Sequence, residues 1–246
     1  MKGTFTTTNT NTYRPRCARP GCDRPARTCS WATAGHSRYC ERCRSHARKH
    51  GDPAQVPIRK PQVKTVVKRI KKLLKRGNIE KVGAYLRERA TLLREVVESP
   101  EAVEVPTTTR PRIWVVGWKA QAVDEMLKVL NDSDPVESGL LVAAMFLLRV
   151  EQPRLFASDE GFDYELVRMF RAQTRMSFGS YYYQEKDCVV YVHKVLPARV
   201  TEYMAEFLVA TYSRFGGHVC TAVEKERKWQ AEHEQKLVEG FESLLK

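Results

Sequence analysis

The chain has no apolar run long enough to cross a bilayer. Its longest, Gly139–Leu148, is about half of the ~20 residues that a spanning helix needs. It has no Gly-x4-Gly-Lys-[Ser/Thr] loop, which excludes a P-loop phosphate cradle. Acid is scarce where base is dense. Residues 1–80 carry 20 Lys+Arg against 4 Asp+Glu, whereas residues 81–246 carry 22 against 25. The formal net charge of +13 therefore belongs to the first third of the chain. A one-signed segment of this kind points to a polyanionic partner, nucleic acid ahead of an anionic membrane surface. Histidine is scarce as well, with only His193, His218 and His233 after residue 50. No His-His or Asp-His pair offers the general base and metal ligands of a ββα-metal nuclease core. No internal repeat is visible. Met1–Tyr13 contains no apolar signal-peptide segment, so the expectation is a protein that is not secreted and stays in a reducing cytosol.

Apolar residues are few before residue 54, yet five of the seven cysteines fall there. In a reducing compartment they point to metal rather than to disulfides. Cys17 and Cys22 form a Cys-x4-Cys pair, and Cys40 and Cys43 a Cys-x2-Cys pair. Each short pair closes a tight loop onto one ion, so the four are read as ligands of a closed, structural zinc. Cys29, His36 and His46 are rival ligands, since Cys40-x2-Cys43-x2-His46 is also a chelating cadence. Cys188 and Cys220 sit in apolar contexts and read as packed thiols.

The predicted fold class is α+β and helix-rich. Residues 1–16 read as a disordered tail, 17–53 as the metal module and Ala54–Pro61 as a linker. A basic helical hairpin is expected over 62–98. In Gln62–Arg76 the residues Val63, Val66, Val67, Ile70, Leu73 and Leu74 recur at helical spacing. Gly77 and Asn78 then offer a stop and a new N-cap. Residues 99–112 read as a second linker, and 113–246 as an α+β domain with a long C-terminal helix. In that domain Ile113–Trp118 reads as a short strand and Ala120–Leu130 as a helix. Asp132-Ser-Asp-Pro starts an almost wholly apolar helix, the expected centre of the domain. Glu160–Ala172 is a further helix, Tyr181–Val195 reads as β-structure, and Pro197–Phe215 as a helix ended by Gly216-Gly217. The tail from Cys220 is a charged helix that turns amphipathic only near Leu237, Phe241 and Leu244.

The string CARPGCDRPARTCS…YCERCRSHARKHGDP resembles the short zinc-knuckle module of bacteriophage and mobile-element proteins, sometimes joined to HNH endonucleases. The match covers residues 17–53 only and rests on Gly21-Cys22-Asp23-Arg24-Pro25 and the closing Gly51-Asp52-Pro53. Two departures stand out. Cys43 occupies the position of the family's usual ligand histidine, and the central gap, Thr28–Tyr39, is longer. The resemblance implies Cys43 rather than His46 as fourth ligand, association with DNA or RNA, and a phage or mobile-element source. The cytosol would then be that of the host cell.

The basic surface is expected on two helices. The knuckle's own helix contributes Arg42, Arg44, Arg48 and Lys49. The hairpin contributes Lys64, Lys68, Arg69, Lys71, Lys72, Lys75 and Arg76, in a stretch between Asp52 and Glu80 that holds nine Lys+Arg and no acid. Such a surface suits phosphates. Few aromatics interleave it, which speaks against a platform for stacked single-strand bases and leaves Trp31 and Tyr39 for that role. The expected function is thus non-enzymatic nucleic-acid binding, DNA ahead of RNA, with the C-terminal domain serving a partner or self-association. Two alternatives stand beside it. One is a phage or mobile-element factor that binds a host or viral protein complex. The other is a metal-dependent nuclease using Asp159, Glu160 and Asp163, acids that a helix N-terminus favours in any case.

Overall fold

The computed structural model describes residues 16–26, 38–75, 79–99, 113–174, 179–183, 188–192 and 195–244. Gly77, Asn78, Arg76, Cys29, His36, His193 and most of the 99–112 segment lie outside these. Seven α-helices occur among the described residues: α1 (Glu41–His50), α2 (Lys60–Lys75), α3 (Ile79–Glu98), α4 (Ile113–Asp132), α5 (Pro135–Glu151), α6 (Asp159–Arg171) and α7 (Ala198–Leu244). Apart from an isolated bridge between Arg16 and Pro25, strand pairing is confined, among the described residues, to a two-stranded antiparallel ribbon, Gly179–Tyr183 against Cys188–Val192. The described core contains no sheet layer, so the expected α+β class is corrected to a helix-rich body in which helix packs on helix.

Helix α5 is the hub. Asp134 caps it, its carboxylate accepting from the Val136 backbone N–H at 3.0 Å, and Pro135 fills the first turn where no donor is needed. Leu140, Val142, Ala143, Ala144, Met145, Leu147 and Leu148 are all buried, because α2, α3, α6 and α7 surround it. Helices α2 and α3 therefore bury their apolar stripes against α5 more than against each other. Val63, Val66 and Ile70 of α2 and Leu86, Leu93 and Val97 of α3 belong to the same continuous core as α4 to α7.

Two expectations fail for identifiable reasons. Ile113–Trp118, read as a strand from its β-branched and aromatic content, forms the first turns of α4. Trp118 meets Tyr203 edge-on at 5.4 Å, and Ala122, Met126 and Val129 continue the buried face at helical spacing, so tertiary packing overrides local propensity. Gly216-Gly217 does not stop the preceding helix. Helix α7 runs 47 residues through it, and Met204, Leu208, Tyr212, Phe215, Val219 and Val223 keep one buried face across the glycines. Gly216 serves close packing instead. A Cβ there would lie 2.7 Å from Cδ2 and 3.1 Å from Cβ of Phe146, whereas one on Gly217 would meet nothing within 4 Å.

The two glycines should therefore respond in opposite directions. Gly217→Ala is expected to raise unfolding stability by about 1 kcal/mol through helix propensity alone. Gly216→Ala should lower it by about 1–2 kcal/mol through overpacking against Phe146. Urea denaturation of both variants decides the matter, and equal shifts of one sign would mean that the helix is interrupted at this point.

Candidate metal centre and basic surface

The N-terminal module is built on a tight turn and on the first turn of α1. Arg19-Pro20-Gly21-Cys22 closes with the Cys22 N–H donating to the Arg19 carbonyl at 3.1 Å. Gly21 takes φ = 73°, which fits the third position of a type II turn behind proline. The Cys17 N–H donates to the Arg24 carbonyl at 2.9 Å, and Ala18 N–H to the Arg38 carbonyl at 2.7 Å. These bonds bring the first cysteine pair under the second. Cys40 is the N-cap residue of α1, and Cys43 lies in its first turn, buried on the same side.

The Sγ atoms of Cys17, Cys22, Cys40 and Cys43 all lie within 4.8 Å of one another. Cys22 Sγ is 3.9 Å from that of Cys40 and 3.8 Å from that of Cys43. A tetrahedron of thiolates with arms of ~2.3 Å has edges of about 3.8 Å, so the four fit one metal ion. Their surroundings favour negative charge. The Cys40 N–H donates to Cys17 Sγ at 3.3 Å, and the Arg19 guanidinium lies 3.9 Å from Cys43 Sγ. The N-terminus of α1 adds its partial positive charge. Burial, aided by the neighbouring thiols, pushes Cys43 up to about 12. At Cys17 burial pushes upward too, but backbone donors from Cys40 and Arg19 bring the thiol down to about 7. A cation shared by all four sulfurs would relieve both the burial and the mutual repulsion of their charged forms.

His46 is not part of this group. Its Nδ1 sits 3.3 Å from the Asp52 carbonyl, and its ring lies 4.7 Å from that of His50. Cys43 and not His46 completes the four, while Cys29 and His36 fall outside the described residues. Among the described residues, the cysteines are the one group of three or more ligating side chains close enough to share an ion. Asp159, Glu160 and Asp163 are not brought together in that way. Asp159 pairs with Arg149. Burial, and then the carboxylates of Glu202 and Asp52, raises Glu160. Burial pushes Asp163 up to about 6 against the pull of Arg149, with Asp159, Glu202 and Glu206 adding to the rise.

The module is fastened to the helical body by Gly51 of the closing Gly-Asp-Pro and by residues that carry no motif in the sequence. Gly51 ends α1 at φ = 77°, its N–H donating to the Ala47 carbonyl at 2.7 Å. A Cβ there would sit 2.7 Å from the Glu160 carbonyl oxygen and 2.8 Å from the Tyr164 ring, so the backbone needs glycine both for its conformation and for contact with α6. Beside it lies the Glu165 carboxylate, with no solvent exposure. His50 Nδ1 meets its Oε1 at 2.6 Å, the Ile58 N–H donates to Oε2 at 2.9 Å, and Arg168 Nε donates to Oε2 at 3.1 Å. A second Arg168 nitrogen bonds both Glu165 and the Ile58 carbonyl. The residues between module and hairpin are strapped down too. Gln55 is 1% exposed; its amide nitrogen donates to the Val56 and Leu155 carbonyls at 2.7 and 2.9 Å, and its oxygen accepts from the Ala157 N–H at 3.0 Å.

The basic residues divide into two sets. Arg69 pairs with Glu151 at 2.7 Å, which Arg227 meets at 2.8 Å, and Lys71 pairs with Glu137. Both are ties to α5. Lys64, Lys68, Lys72 and Lys75 are exposed and carry no ion pair among the described residues. At 100° per residue they fall within an arc of roughly 80°, along about 16 Å of helix. On α1, Arg42, Arg48 and Lys49 are exposed and Arg44 is half-buried.

No family model, no curated protein and no solved structure matches the chain. Among the described residues, no helix is long and apolar enough to cross a membrane.

Two outcomes are expected of the module. Titration with Co2+ should show thiolate charge-transfer absorption saturating at one ion per chain. It should be abolished in Cys22→Ser and kept in His46→Ala; a spectrum that changes in the histidine variant would redraw the ligand set. Glu165→Gln should lower stability at neutral pH by about 2–4 kcal/mol. Burial alone would raise Glu165, but the bonds from His50 and then Arg168 overcome it and hold the carboxyl below its ordinary value. The folded protein thus binds this proton less readily than the unfolded chain. The stabilisation is complete above the ordinary carboxylate range and is lost as pH falls through the lowered value. The glutamine variant should show a correspondingly flatter acid limb in thermal melts, and an unchanged limb would remove Glu165 from this role.

Proposed function

We propose that the protein binds nucleic acid without chemistry of its own, using a zinc-held module and a basic helix face to engage phosphates. Zinc is the ion that best suits four thiolates, and a site closed by four of them leaves no position for a reacting water, so its role is structural. The resemblance of residues 17–53 to the zinc knuckle of phage and mobile-element proteins supports the same reading, with a source of that kind. The observation that carries the proposal is the row Lys64, Lys68, Lys72 and Lys75, exposed and without acid partners among the described residues, on a helix that ties Arg69 and Lys71 to α5. Lysines so placed meet phosphates as point charges and give affinity without reading bases. DNA is the expected polymer ahead of RNA. Arg42, Arg48 and Lys49 on α1 extend the cationic character to a second helix fixed on α6.

Binding of the zinc-loaded protein to a fluorescent 20-base-pair duplex, followed by anisotropy between 50 and 200 mM salt, tests this. Affinity should fall steeply over that range. Replacing the four lysines together with glutamine should make the slope of log K against log salt shallower by about 3–4, close to one unit for each phosphate left without its lysine. An affinity indifferent to salt, or a slope unchanged in the quadruple variant, would refute it.

A further inference from the structure

A groove runs beside the lysine row, between α2 and the facing sides of α5 and α6, with a volume of roughly 380 Å3. Its floor is aliphatic, with Val67 of α2, Leu141 of α5 and Met169 of α6 among its residues. Its α2 edge carries Lys60, Lys64 and Lys68. The single carboxylate at the groove, Glu137, is neutralised by Lys71. Gln173 lines the far side; its Oε1 accepts from Ser138 Oγ at 3.2 Å, and its amide nitrogen is buried without a hydrogen-bond partner. Positive charge is crowded here as well. Lys60 is held below its ordinary value by burial first and then by Lys64 and Arg168, a repulsion that a bound anion relieves.

We infer that this groove receives an unstacked nucleotide, so that single-stranded nucleic acid is the preferred form of the polymer whose phosphates lie on the adjoining lysine row. The inference rests on the reading of nucleic-acid binding above and adds a substrate class to it. Two features carry it. Lys64 and Lys68 belong to both the row and the groove edge, so a strand held by the row has its next group directed at the groove. The floor is apolar and recessed, which suits the face of a base and not a phosphate. A duplex keeps its bases stacked and paired and gains nothing from such a groove. The basic run lacks aromatics, but a methionine and branched aliphatic side chains can cover a base face in their place.

The test compares a 12-nucleotide single strand, a duplex of the same length and poly-glutamate, each titrated into the full zinc-loaded chain at one salt concentration. The single strand should bind about tenfold tighter than the duplex. Leu141→Gln removes part of the floor without changing the charge. It should cost the single strand about fivefold or more and leave duplex affinity within about twofold. Circular dichroism and cobalt stoichiometry check that the variant folds; should it not, Val67→Thr, nearly isosteric, takes its place with a smaller loss of the same sign. Equal binding of the two nucleic acids, or equal losses in the variant, overturns the groove and leaves the lysine row standing. Poly-glutamate binding tighter than either assigns the groove to an acidic protein partner and overturns the inference. No binding of either nucleic acid refutes the functional reading itself.

Discussion

A carboxylate stripped of water inside a helical body is tolerated only where its lone pairs are met by donors, and preferably by cations. Glu165 satisfies this by drawing together three stretches of chain: the end of α1 through His50, the strap after it through the Ile58 N–H, and its own helix through Arg168. Removing any donor leaves charge buried and unpaired, so the site admits one docking geometry. The glycine at position 51 is the steric counterpart of that constraint, since α1 reaches Glu165 only by bringing its last turn into contact with the α6 backbone. A small module with almost no apolar core of its own thereby acquires a fixed orientation on a body that has one.

The consequence for charge is a sorting of the basic residues. Counting Lys and Arg along α2 treats them as one surface, but α5 presents Glu137 and Glu151 to two of them, and these become packing contacts. The partly exposed ion pairs formed there contribute little to stability in water. Their larger effect is positional, because with Arg69 and Lys71 pinned toward α5 the row Lys64, Lys68, Lys72 and Lys75 faces outward. The acids of α6 and the first turns of α7 gather elsewhere. Burial and the mutual repulsion of Asp159, Glu160, Asp163, Glu202 and Glu206 raise Glu160 and Asp163 among them. Helix α2 thus presents positive charge to solvent and that face negative charge.

What was legible in the sequence was whatever depends on local chemistry. Cysteine spacing located the metal site because chelation is short-range, and Asp134-Pro135 marked the start of α5 because a cap needs only its own first turn. The stripes on α2 and α3 were visible for the same reason. The misreadings lie where a distant partner decides. IWVVGW has the composition of a strand and becomes helix because Trp118 and the residues after it pack against α7. Gly216-Gly217 has the composition of a stop and becomes a packing notch because Phe146 fills the space where a side chain would stand. Glu165, Gln55 and His50 gave no signal at all: a lone acid on an amphipathic helix reads as solvent-facing until the groups that bury it are known. Likewise the groove beside α2 is assembled from three helices separated by long stretches of chain, so no motif announces it.

Metal and docking are linked through α1. The cysteines sit at the N-terminal end of this ten-residue helix and the contacts with α6 at its C-terminal end, so the helix is held at both ends and by little between, with Cys43 its one buried residue. A helix of that length is not stable alone in water. An ion held by the four cysteines would therefore support the His50 contact with Glu165 as well as the knuckle, and that contact would strengthen ion binding by the same free energy, since linkage is reciprocal. The four-cysteine cluster and the buried carboxylate are in this sense one structural unit, and the basic residues of α1 keep their place relative to the lysine row only while both are intact.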